Sequence, residues 1–73
     1  MFPQEIIRKK RDGKTLSSEE ISFFVKGITD GSIADSQTAA LTMAIFLNGF
    51  NKQETVDLTL SMRDSGEIGR AHV

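Results

Sequence analysis

The sequence predicts an all-α fold, a small bundle of four short helices, and three observations point to it. Helix-start signals recur along the chain, Ser17 with Glu20 and Asn51 with Glu54, each pair at capping-box spacing. Glycines stand where each of these helical stretches should stop, at Gly13, Gly31, Gly49 and Gly66. No segment alternates apolar and polar residues with period two, so no sheet is expected.

The first helix is expected over about 3–12. Pro3 suits a first helical position, where its missing N–H costs nothing. Phe2, Ile6 and Ile7 form a short apolar edge, and Arg8, Lys9, Lys10 and Arg11 crowd the last turns, where positive charge complements the helix dipole. Gly13 can supply the left-handed residue that closes the helix.

The second helix has the clearest start. Ser17 caps it with Glu20 three residues on, and Leu16 and Ile21 have hydrophobic-staple spacing across the cap. Ile21, Phe24, Val25 and Ile28 then form one apolar face, and Asp30-Gly31 ends it. Gly27 inside it costs about 1 kcal/mol relative to alanine. Close approach of a neighbouring helix accounts for the choice; chance is the other reading.

Asp35 is expected to cap the third helix. From 38 to 47 this helix is apolar on nearly every side, through Ala39, Ala40, Leu41, Met43, Ala44, Ile45, Phe46 and Leu47. A helix apolar all round is buried or forms an interface. Its alanines allow close approach, and dimerisation through the apolar helices is expected. Asn48-Gly49 stops it. The fourth helix runs from about 52 to 63 or 64, with Val56 and Leu60 on one edge and Leu58 and Met62 on another.

Composition narrows the function. Seventy-three residues make one small domain, with 9 basic and 10 acidic residues and a net charge of −1. That balance gives no global pull towards nucleic acid or an anionic membrane. There is no cysteine for a disulfide or thiolate metal site, and the one histidine is His72. No apolar run approaches the roughly 18–20 residues that cross a bilayer, and the N-terminus lacks a signal-peptide pattern. A cytoplasmic protein is expected.

The ordered set of segments Ile6-Ile7-Arg8-Lys9-Lys10-Arg11-Asp12-Gly13-Lys14, Leu16 with Glu19-Glu20-Ile21, Gln37 with Ala40-Leu41 and Met43-Ala44-Ile45, then Leu58-Thr59, Met62 and Asp64-Ser65-Gly66 carries a resemblance. It resembles the N-terminal helical domain of the pyrimidine-nucleoside phosphorylase family, the thymidine phosphorylases among them (the glycosyltransferase family 3 N-terminal domain). The related anthranilate phosphoribosyltransferases share that domain but match the KKRDGK segment less well. The resemblance implies a longer parent that cleaves thymidine, with other pyrimidine deoxynucleosides as the broader alternative, using inorganic phosphate to give the free base (thymine) and 2-deoxyribose 1-phosphate, and needs no cofactor. It also implies a homodimer formed mostly through the helical domain, which packs beside a larger α/β domain that holds phosphate, with the substrates in the cleft between the two. Phosphate-binding and base-binding groups of that family come from later segments, so no catalytic, cofactor-binding or metal residue is assigned here. This stretch alone is expected to be inactive.

The domain is read as 1–66, and 67–73 as a non-native tail. Glu67-Ile68-Gly69-Arg70-Ala71-His72-Val73 is what GAGATCGGAAGAGCACACGTCTGA encodes, ending on a stop codon, and all but its first G belongs to a common short-read sequencing adapter. The expectation is a reading frame cut short by adapter sequence; a genuine short C-terminus is the alternative.

Four residue groups could carry chemistry, and each has a plainer reading. The basic residues 8–11, with Lys14, read as a solvated helix end rather than a phosphate or nucleic-acid patch, since no aromatic stacking residues are interleaved. Phe23, Phe24, Phe46 and Phe50 read as core or dimer packing rather than a base pocket, with Phe23 the better interface residue. Glu19 and Glu20 are explained by the helix start. Asp57 and Asp64 lie seven apart on one helical face, without a further metal-ligand partner. A stand-alone helical protein–protein interaction module is the alternative function, and a small DNA-binding helix-turn-helix the weakest.

Overall fold

A computed structural model describes residues 1–65, so the expected stop at Gly66 and the reading of 67–73 lie outside the described residues. Four helices follow one another, α1 (Pro3–Arg11), α2 (Ser18–Asp30), α3 (Asp35–Asn48) and α4 (Lys52–Asp64). No strand occurs among the described residues. α1 packs against α3 and α2 against α4, and the core of Ile6, Leu16, Ile21, Phe24, Val25, Ile33 and Leu41 joins the two pairs.

The helix starts follow local chemistry. Ser17 Oγ accepts from the Glu20 N–H at 3.1 Å, and Glu20 Oε1 accepts from the Ser17 N–H at 2.8 Å. Asn51 Oδ1 accepts from the Glu54 N–H at 2.8 Å, and Glu54 Oε1 accepts from the Asn51 N–H at 2.9 Å. Pro3 opens α1 as expected. Asp35 does not cap α3. It is the first helical residue, and Ala34 stands at the cap position, its N–H donating to Gln37 Oε1 at 3.2 Å. Asp35 therefore acts on the dipole of the first turn instead of bonding to its amides.

Gly31 ends α2 with a φ of 83°, a left-handed backbone that a Cβ would strain. Gly27 is explained by a close approach, though from a loop rather than a helix. A Cβ there would overlap Cδ1 and Cγ1 of Ile33, in the α2–α3 connection, whose N–H donates to the Gly27 carbonyl at 3.0 Å.

The polar side of the core departs most from the sequence reading. Lys10 is only 3% exposed. Its Nζ reaches Glu54 Oε2 at 2.9 Å, Glu54 Oε1 at 3.2 Å and the Gly49 carbonyl at 3.0 Å, and sits 5.2 Å from the Phe50 ring centroid. Glu54 Oε2 also accepts from the Leu16 N–H at 2.8 Å. Lys9 pairs with Glu20 at 2.7 Å. The basic cluster is thus not one solvated helix end: Lys10 turns into the protein, and only Arg8 and Arg11 among 8–11 are exposed.

Burial opposes ionisation of Glu54, but hydrogen bonds from the Leu16 and Asn51 amides, and then Lys10, outweigh it and hold its pKa below the ordinary value. A lowered folded-state pKa gives stability that is present above the unfolded pKa, near 4.5, and lost as pH falls through the folded value. Glu54→Gln leaves the Lys10 ammonium buried without its counter-charge, and about 3–5 kcal/mol of stability should go with it. Urea unfolding at pH 7 and pH 3 should show a large loss at pH 7 and a weaker acid dependence in the variant. An unchanged acid slope would remove Glu54 from its assigned role. Gly27→Ala should also destabilise, by about 1–3 kcal/mol, despite its better helix propensity. Adding Ile33→Ala should relieve the overlap, which a double-mutant cycle would read as coupling.

Candidate functional site

Three features of the surface and core can meet another molecule. The first is the outer face of α3. Leu41 and Ala44 are buried and Ile45 is half-buried, while Ala39, Ala40, Met43, Phe46 and Leu47 form the opposite, exposed stripe. Met43 is 57%, Phe46 81% and Leu47 69% exposed. An apolar helix stripe this open marks an interaction surface. The sequence required this helix to be buried or at an interface, and the remaining helices cover only one side of it.

The second is an open groove of about 600 Å³ between α2 and α4. Ser18, Glu19, Ser22, Phe23 and Lys26 line it from α2, and Asp57, Leu60, Ser61 and Asp64 from α4. α4 turns Glu54 and Asp57 inward, with Leu58 and Ser61 half-buried. The apolar edges expected to pack, Val56, Leu60 and Met62, are 42%, 40% and 37% exposed. The reason is the Glu54 anchor: once its carboxylate is turned towards Lys10, positions 57, 58 and 61 share its face by helical geometry. Asp57 accepts from Gln53 Nε2 at 3.0 Å, which ties it into its own helix. Glu19 and Asp64 are exposed. Among the described residues no cluster of three His, Cys, Asp or Glu side chains could hold a metal ion.

The third is an apolar cavity of about 140 Å³ among α2, α3 and α4, lined by Leu16, Ile21, Phe24, Leu41, Ile45 and Leu58 among others. Ile28, expected on the buried stripe, is 45% exposed and lines both this cavity and a neighbouring one with Leu58 and Met62.

The four phenylalanines divide. Phe24 is 2% exposed and belongs to the core, and Phe23 and Phe50 are half-buried against it. Phe46 is on the outer stripe of α3, so core packing does not explain it. Glu20 does more than cap α2. Partial burial opposes its ionisation, but the Lys9 hydrogen bond and the Ser17 amide lower its pKa below the ordinary value. Sequence reasoning missed the Lys10–Glu54 pair, whose members lie 44 positions apart; the one available signal was an acidic cap residue in a chain whose first helix ends in four consecutive cations.

The chain belongs to the glycosyl transferase family, as its helical bundle domain, whose family model matches residues 4–66. It is similar to a thymidine phosphorylase of Mesorhizobium japonicum, 57% identical over 68 residues that make up 93% of this chain and 16% of the relative. It is similar to that of Rhizobium meliloti, 58% identical over 92% of this chain and 15% of the relative. A third, from Sinorhizobium fredii, is 56% identical over 93% of this chain and 16% of the relative. The chain therefore spans about one sixth of the length of these relatives. No helix among the described residues is long and apolar enough to cross a membrane.

Phe46→Ala should change stability by no more than about 0.5 kcal/mol for the isolated chain, as for other exposed positions. Phe24→Ala should cost about 3–5 kcal/mol. Thermal unfolding of the two variants at low concentration checks this, and equal losses would mean that the outer stripe of α3 is not free.

Proposed function

We propose that this chain is the helical domain of a thymidine phosphorylase, a pentosyltransferase whose whole form cleaves thymidine with inorganic phosphate to thymine and 2-deoxyribose 1-phosphate. The observation that carries the reading is 56–58% identity to thymidine phosphorylases across almost the whole chain. In this reading the domain supplies a platform rather than reacting groups. Its α3 stripe pairs two copies into a homodimer, and other surfaces dock the α/β domain of the parent enzyme, where phosphate and nucleoside bind in the cytoplasm. The platform role is supported by side chains already engaged in structure: Lys9 and Lys10 are paired with carboxylates, and Asp57 is held by Gln53.

The purified chain should release no thymine from thymidine and phosphate, measured by separation of the free base; release would overturn the division of labour. A chimera placing residues 4–66 in the Mesorhizobium relative, in exchange for its matching stretch, should keep phosphorolysis within about tenfold, or about 1.4 kcal/mol of barrier. A folded but inactive chimera would count against the assignment. The chain should also self-associate at high micromolar concentration. Phe46→Glu should shift it towards monomer in sedimentation experiments, because a desolvated carboxylate at an apolar contact is costly. A monomeric parent chain would remove α3 as the pairing surface.

A further inference from the structure

We draw no further inference here: the strongest candidate, the open groove between α2 and α4 lined by Glu19, Asp57 and Asp64, is an acidic cluster whose buried member is already held by Gln53, and nothing in the structure shows what covers it.

Discussion

The Glu54 carboxylate gathers three parts of the chain at one point. It accepts from the amide of Leu16 in the α1–α2 connection, from the amide of Asn51 at the start of α4, and from the ammonium of Lys10 near the end of α1. Lys10 in turn donates to the carbonyl of Gly49 at the α3–α4 turn. Both oxygens of the acid and the donors of the base are therefore engaged, the condition under which buried charges can be tolerated at all. Asn48 adds a neighbouring tie, its side-chain amide donating to the Lys10 and Arg11 carbonyls at 3.0 Å each. Those carbonyls belong to the end of α1, where helical partners run out. One polar knot thus ties α1, the α1–α2 connection, α3 and α4, and because its members need specific directions it sets the rotation of α4 more sharply than apolar contact would.

The exposed side of α4 follows from that rotation. With Glu54 inward, α4 spends its buried face on Glu54, Asp57 and half-buried Leu58, and leaves Val56, Leu60 and Met62 partly exposed. α3 packs one side against α1 and keeps Met43, Phe46 and Leu47 outside. A buried Lys10–Glu54 pair beside the apolar core, together with large apolar side chains left outside, is unusual for a self-sufficient small domain. It suits a domain that forms one sixth of longer relatives, where further protein surface is available to meet these faces.

Much of this was legible in order but not in orientation. The capping boxes of α2 and α4 depend on residues three apart, so their hydrogen bonds could be read directly from Ser17, Glu20, Asn51 and Glu54. The stripe of Ile21, Phe24, Val25 and Ile28 came from the same helical period, and three of its members are buried while Ile28, at the end of α2, stays 45% exposed. The third helix was legible only as apolar: a helix without a polar face carries no information about which side meets its neighbours. Val56, Leu58, Leu60 and Met62 pointed to packing edges that the Glu54 anchor turned partly outward. For the candidate surface, the sequence marked α3 as a whole, and the fold separated Leu41 from Phe46.

By itself the sequence determined four helices, the starts of α1, α2 and α4, the stops at Gly13, Gly31 and Gly49, and membership of a particular helical-domain family. These are properties of residues within a few positions of one another, or of an ordered set of segments along the chain. The tertiary structure alone decided that Lys10 is a core residue while Arg8 and Arg11 are not, that Gly27 makes room for Ile33, and which stripe of α3 stays uncovered. Each depends on a partner brought close by folding, and a cation facing a carboxylate 44 positions away leaves no periodic trace in the chain.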